Sequence, residues 1–567
     1  DHAGVGITTG YSNVAIGRAA LYNTTTGLNN TAVGKGAGTY VVGNNITHIG
    51  KEAGKNATGS FNTFLGSEAG KGGTTSAPFS SGTNNVAVGY QALAGFTTGG
   101  SNVAIGYQAA DAITTASEAV AIGRSALGSA TTQGRNVAIG YFSAATMAGT
   151  TSQYNVFIGD YTGQGGSGDL KRSVAIGYQV LQSTAGNDVD GAIGIGYQAL
   201  NDVTSGDFNI AVGYQAGDGI TTTAGTISIG AAALGGITTS GDYTIAIGYG
   251  ARGGAEIGDG NIAIGYQSMQ NANAAGFHRN TAVGYQTMAN VGSNSADDNT
   301  ALGYQALYSV TSGDDNVAIG SNALRLATTA GDNVAIGQYA MGNRVSGSNN
   351  VAIGPDAQYN SIGSNYNVSI GSFAGYNITT GGSNIFIGSK AGYANKTQGQ
   401  AIAIGYEAMG GDAGTQEASG IAVGYRAMFQ VKDGSQGVAV GGSTLDHLVG
   451  QYSVGIGNEA GRYATGSYNT FVGFSAGKGA SSAPYASGQY NTAVGYLAHD
   501  AFTTGQQNVA LGWEAATSLT TGYYSTFLGV RAGRSVTTGN TNTFIGWQSG
   551  YAVTDTSNKI AIGYRAG

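Results

Sequence analysis

Asn102-Val103-Ala104-Ile105-Gly106-Tyr107-Gln108-Ala109 decides the fold, because this eight-residue phrase is rewritten along the whole chain. It returns as Asn261-Ile262-Ala263-Ile264-Gly265-Tyr266-Gln267-Ser268, and 32 copies align on a glycine, from Gly17, Gly34 and Gly50 to Gly529, Gly546 and Gly563. Of the 31 intervals between these anchors, 18 are 17 residues, eleven are 16, 18 or 19, and two are 22 or 23. A short fixed period over a whole chain is the mark of a solenoid, in which each repeat packs mainly on its neighbours. The expectation is an all-β parallel solenoid, or β-roll, of about 32 coils of mostly 17 residues. At roughly 4.8 Å per coil it makes a rod of about 150 Å. Residues 1–567 read as one continuous repeat region, with loop insertions near 71–84 and 478–490.

The phrase itself reads as a short strand. Just before every anchor stands Ile, Val or Leu, and three before it Val, Ile or Thr, with Ala usually between them. β-branched residues two apart share one face of a strand. That face is expected to be the interior, so Val14, Ile16, Val103, Ile105, Ile262 and Ile264 are the predicted core, joined by the Ala found three after the anchor in 25 copies. The Ala two before the anchor then faces away. Ala104 and the same-phase Phe64, Phe157, Phe386 and Phe471 become an inter-chain face, since an exposed row of such rings would be sticky in a monomer. The competing reading is a two-layer interior in which the chain's own turn covers this face.

Other positions are equally regular. Four before the anchor is Asn in 20 of 32 copies, either a turn residue or one rung of a stacked amide ladder. The anchor glycine implies a backbone conformation or a close approach that a Cβ would hinder. Thr-Thr-Gly connectors such as Thr97-Thr98-Gly99 read as turns that close the coil. The residue after the anchor is aromatic in 17 copies, among them Tyr90, Tyr107, Tyr197, Tyr304, Tyr425, Trp513 and Trp547. Stacked coil on coil, these form an aromatic stripe. Two roles stay open for it: packing within or between chains, or contact with a carbohydrate or polymer.

Composition narrows the function classes. Only 9 % of residues are charged and the net charge is −7, without a basic stripe for nucleic acid. No apolar run approaches the length of a membrane helix, so no membrane insertion is expected. The absence of Cys removes disulfides and thiolate metal sites. Three Pro among 102 Gly exclude collagen. The pattern runs up to both ends of the sequence, which suggests a segment of a longer fibre. The five His residues (His2, His48, His278, His447, His499) fall at different phases and read as non-catalytic surface residues. Asn187-Asp188-Val189-Asp190-Gly191, Asp297-Asp298 and Asp314-Asp315 read as solvated turns. No catalytic, cofactor or metal site is assigned, and an enzyme on this scaffold would need clustered carboxylates that the low charge disfavours.

The motif Asn-Val-Ala-Ile-Gly-x-x-Ala resembles the head repeat of trimeric autotransporter adhesins of the YadA type, and related repeats of tail-fibre-like proteins. The resemblance covers nearly the whole chain. It implies a left-handed parallel β-roll, a homotrimer or filament, and an extracellular, cell-surface or virion-surface location. The implied function is a structural or adhesive fibre, with surface glycans or matrix as partners. A viral tail fibre that binds a host glycan, and a solenoid that binds ligand through a Tyr or Thr stripe, are the alternatives. The adhesin repeat is about 14 residues, so the dominant 17 here implies a larger turn.

One longer-range duplication stands out. Phe61-Asn62-Thr63-Phe64-Leu65-Gly66 with Ala69-Gly70-Lys71-Gly72 recurs as Tyr468-Asn469-Thr470-Phe471-Val472-Gly473 with Ala476-Gly477-Lys478-Gly479. Each is followed by a proline-bearing insertion, Ala77-Pro78-Phe79 and Ala483-Pro484-Tyr485. These insertions either decorate the solenoid or dock a neighbour, or they record a duplicated, tolerated loop.

Overall fold

A three-residue strand has one central side chain on one face and two flanking side chains on the other, and this parity settles the architecture. The computed structural model describes residues 2–184, 186–236, 241–253, 258–271, 277–292, 296–411, 419–432 and 436–567. They form two compact units, Asp1–Asn294 and Ser295–Gly567. In the first, sixteen repeat strands run from Val14–Ile16 to Thr281–Val283, with an extra pair, Leu170–Lys171 on Val189–Asp190. In the second, sixteen run from Thr300–Leu302 to Ile560–Ile562. Each unit is a parallel β-solenoid with one strand per repeat, as the period predicts. Successive copies pair parallel and in phase: Val103, Ala104 and Ile105 lie on Val120, Ala121 and Ile122, which lie on Val137, Ala138 and Ile139. The described residues contain no helix.

The predicted facing of the strand is inverted. Ile16 is 59 % exposed and Ile105 37 %, Val14 is exposed, and Val103, Ile262 and Ile264 are only half-buried. Ala104, Phe64, Phe157, Phe386 and Phe471, assigned to an inter-chain face, are wholly buried inside their own coils. The reading in which the chain's own turn covers this face is therefore the correct one. Because side chains alternate along a strand, a one-residue error in phase exchanges core and surface completely. The physical reason is volume. The turn's own inward side chains, such as Leu93 and Phe96, fill the coil and leave room on the strand for one central side chain.

That turn supplies the rest of the core. The Ala three after the anchor points inward as predicted (Ala109, Ala126, Ala306). So do the residues four and seven after it, such as Leu93 with Phe96, Leu127 with Ala130, and Leu307 with Val310. To bring neighbouring residues inward, the chain adopts left-handed backbone at up to three non-glycine positions per coil, two of them after the anchor, as at Gln108 (φ 52°) and Ala110 (φ 52°), and one before the strand, as at Ser101 (φ 59°). Each costs on the order of 1 kcal/mol. Cross-coil bonds hold them, Gln108 N–H to the Tyr90 carbonyl (2.9 Å) and Ala110 N–H to the Ala126 carbonyl (2.8 Å).

Volume is balanced inside each coil. Wherever Phe replaces Ala at the centre of the strand, the residue four after the anchor is glycine: Phe64 with Gly70, Phe157 with Gly163, Phe386 with Gly392, Phe471 with Gly477, Phe527 with Gly533, Phe544 with Gly550. A Cβ on Gly477 would stand 2.1 Å from the Phe471 ring, and one on Gly70 2.5 Å from Phe64. His48 occupies the same slot and is matched by Gly54, where a Cβ would lie 2.2 Å from the imidazole. The anchor glycines have a different cause. At Gly106, with φ 134°, a Cβ would meet the Gly123 carbonyl oxygen at 2.5 Å.

The asparagines form the expected ladder. The backbone N–H of Asn102 donates to Asn85 Oδ1 (2.9 Å), that of Ala119 donates to Asn102 Oδ1 (2.9 Å), and Asn102 Nδ2 donates to the Ala116 carbonyl (2.9 Å). Between Asn299 and Asn384 the amides also bond one another, as in Asn316 Nδ2 to Asn299 Oδ1 (3.0 Å) and Asn350 Nδ2 to Asn333 Oδ1 (3.0 Å). Thr connectors add a hydroxyl rung, Thr97 Oγ1 to the Thr114 carbonyl (3.0 Å) and Thr114 Oγ1 to the Thr131 carbonyl (3.1 Å).

Candidate functional surfaces

With the strand reversed, its outer face consists of the two β-branched positions, and the aromatic position follows directly. In all 32 copies the residues three and one before the anchor are drawn from Val, Ile, Leu and Thr, and none is charged. Solvated sheet faces normally mix in Lys, Glu or other charges, and an extended uncharged one is a sticky surface. Within each unit the parallel in-phase pairing lines these residues into two rows, beside a third row that begins at Tyr90 and Tyr107.

That third row is the predicted aromatic stripe. Tyr90, Tyr107, Tyr197, Tyr304, Tyr425, Trp513 and Trp547 are all exposed. At many steps where consecutive coils both carry a ring, the rings stack: Tyr90 on Tyr107 at 5.3 Å, Tyr197 on Tyr214 at 5.1 Å, Tyr406 on Tyr425 at 5.7 Å, Trp547 on Tyr564 at 4.7 Å. Arginines cap part of it, with Arg531 4.2 Å over Trp513 and Arg565 5.0 Å over Trp547. Stacking along the coil axis stabilises the stripe but leaves ring edges in solvent.

Comparison with protein-family models, with curated proteins and with solved structures finds no match. The surfaces therefore carry the functional argument on their own chemistry.

The two insertions are ordered in the same way. Lys71 at the base of the first pairs with Glu52 (3.2 Å) and Glu68 (3.3 Å), and Lys478 at the base of the second pairs with Glu459 (2.7 Å). The hydrogen bond from Lys478, aided by Arg462, holds the Glu459 carboxyl below the usual range. Each insertion returns through a bridge to the preceding coil, Ser80 to Ala57 and Ala486 to Ala464. Each tip lays its aromatic residue on another ring. Phe79 stacks on Tyr40 at 4.2 Å, while Tyr485 lies parallel to Tyr463 at 5.9 Å and 4.5 Å from His447. The anchor spacing around both loops also agrees, 17, 16, 16, 23, 17, 17, 17 from Gly17 and 17, 16, 16, 22, 17, 17, 17 from Gly424, so eight coils are duplicated rather than a loop alone.

The histidines do not form one class of surface residue. His48 and His499 are completely buried, and burial lowers their imidazoles to about 3 and about 4. His278 Nδ1 accepts the Asp259 backbone N–H (2.9 Å). Two arginines, Arg252 and Arg344, are also buried. Arg344 reaches Ser361 Oγ (3.0 Å) and the Ser364 carbonyl, and Arg252 lies 5.2 Å over Phe277. Burial lowers both guanidiniums, to about 10 and about 9. The sequence gives no warning of these, except that each stands at an inward phase of the repeat. Asp188 and Asp190, in the Asn187–Gly191 stretch, take backbone and arginine partners: Asp188 Oδ1 accepts the Asp169 N–H (2.9 Å) and Asp190 pairs with Arg172. Among the described residues no three His, Asp or Glu side chains converge as metal ligands would.

Proposed function

We propose that this chain is a non-catalytic structural and adhesive fibre segment, extracellular, built by lateral association of its own copies through the outer strand face. The observation that carries this reading is the uncharged Val/Ile/Leu/Thr face, kept in every copy of the repeat. A surface that repeats at each coil is best matched by a surface with the same repeat, and a second copy of this chain has one. The resemblance to trimeric adhesin heads favours three copies in register, on a cell surface or a virion. Sedimentation equilibrium of the intact chain tests the reading. Wild type is expected as a discrete oligomer, and a variant carrying Ile319→Lys, Ile336→Lys and Ile353→Lys is expected as a folded monomer. A wild-type monomer would reject the assembly.

The aromatic stripe supports a second reading, in which the assembled fibre contacts a polymer or host surface. Its rings stay exposed and pre-stacked, a rigid amphipathic platform of the sort that binding surfaces use. Loss of surface binding on Tyr197→Ala and Tyr214→Ala, with the oligomer intact, is the expected signature.

A further inference from the structure

The second proline loop encloses a groove that neither the core nor the outer strand face explains. Ser482, Ala483 and Pro484 at its tip are exposed and cover no core residue, yet the loop is tied at its base by Lys478–Glu459 and at its return by the Ala464–Ala486 bridge. Between the tip and the preceding coils lies a groove of about 450 Å³, within the range of small-molecule sites, roughly 300–1,000 Å³. Its walls combine the rings of Tyr485 and His447 and the Pro484 edge with the Gln430 amide, the Thr465 hydroxyl and the Lys432 ammonium. An apolar platform, neutral hydrogen-bonding groups and one cation, with no carboxylate among the described lining residues, suit one kind of molecule. A sugar ring offers a C–H face to the platform and hydroxyls to the amide and hydroxyl, and a uronate adds a carboxylate for the lysine.

We propose that this groove binds an acidic saccharide unit, stacked on Tyr485 and paired through its carboxylate with Lys432. The first loop provides an internal contrast. It keeps the frame, with Pro78 and Phe79 at the tip and Phe79 stacked on Tyr40. However, the place of Lys432, 407 residues earlier, is held by Thr25, and that of His447 by Tyr40. The duplication therefore preserves the loop and places Lys432, followed in sequence by Asp433, where the first copy has Thr25-Thr26, so a cation able to pair with an acidic sugar belongs to the second site. This goes beyond the fibre reading and does not depend on the number of copies.

Isothermal titration of the full chain with a defined uronate tetrasaccharide, and with its carboxyl-reduced neutral counterpart, tests the site. The uronate is expected to bind, and Lys432→Thr to weaken it at least tenfold while changing the neutral sugar less than twofold. Tyr485→Ala is expected to weaken both at least tenfold, and Tyr485→Phe, which keeps the ring, to retain both within threefold. Hydrogen exchange over 478–490 verifies that the loop stays closed in each variant. No uronate binding at millimolar concentration, undiminished binding in Lys432→Thr, or a preference for the neutral sugar would each overturn the proposal. Sedimentation of the same variants should show the wild-type oligomer, which separates failure of this site from failure of the fibre assembly.

Discussion

Phe471 and Gly477 are two halves of one packing solution, and neither residue type is explicable alone. A methyl group on Gly477 has nowhere to go while the ring is present, and the left-handed backbone there (φ 56°) adds its own penalty. Gly477→Ala should therefore lower local stability by about 2–4 kcal/mol, and much of that cost should vanish in a Phe471→Ala background. Native-state hydrogen exchange of the surrounding coil measures both. His48 follows the same rule, because Gly54 already leaves room for a large ring. His48→Phe is expected to be tolerated and to change the pH response. The buried imidazoles of His48 and His499 take up protons only near pH 3 and 4, whereas the unfolded chain takes them up near 6.5. Their contribution is thus complete above pH 6.5 and falls as pH drops toward those values, by about 1.4 kcal/mol per histidine per pH unit. Acid denaturation followed by circular dichroism should show a shallower slope between pH 6 and 4 in His48→Phe than in wild type.

A single coil is held less by its strand than by what surrounds it. The three-residue strand contributes few ladder bonds, and the asparagine before it satisfies the backbone of two further turns. Replacing Asn333 with Leu would orphan the Asn350 N–H and strip one hydrogen bond each from the carbonyls of Gly331 and Gly347, which keep only the Asn349 N–H and Arg344 Nε. Each unsatisfied buried group costs about 1–3 kcal/mol, so local opening of that coil is expected, readable as lost exchange protection centred on 331–350. Ile105→Asp, in contrast, would be severe only if Ile105 were interior. Since it is 37 % exposed, the substitution should cost under about 1 kcal/mol in an isolated chain and act on association instead. At this scale the sequence is clear about the element and misleading about its orientation. Period, strand position, glycine anchor and asparagine rung are all written as local patterns. Which side of Val103-Ala104-Ile105 faces inward depends on how much of the coil the turn's own side chains fill, which the strand pattern alone does not state. The aromatic-for-alanine exchange matched by glycine at Gly70, Gly163 and Gly392 does encode it, since only an enclosed side chain requires such compensation. The proline loops are readable as insertions, but the rings that Tyr485 meets come from coils 22 and 38 residues earlier in the chain.

At the scale of the molecule, each unit is a stack in which a coil packs only on its neighbours, and assembly should reflect the character of the face it presents. Because that face carries no charge, the proposed oligomer should resist salt. Sedimentation in about 0.05 M and 1 M sodium chloride is expected to give the same mass, and sulfate to tighten association. Dissociation at high salt would instead place the contact among the scattered ion pairs. The nearest-neighbour construction also has a mechanical outcome. A unit pulled from one end cannot share the load among distant coils, so it should peel like tape, one turn at a time, at nearly constant low force. A turn of 17 residues releases about 60 Å of contour and the two proline-bearing turns about 75–80 Å. In an optical-trap record those two long steps would stand out from an otherwise even staircase, marking position along the fibre as it unravels.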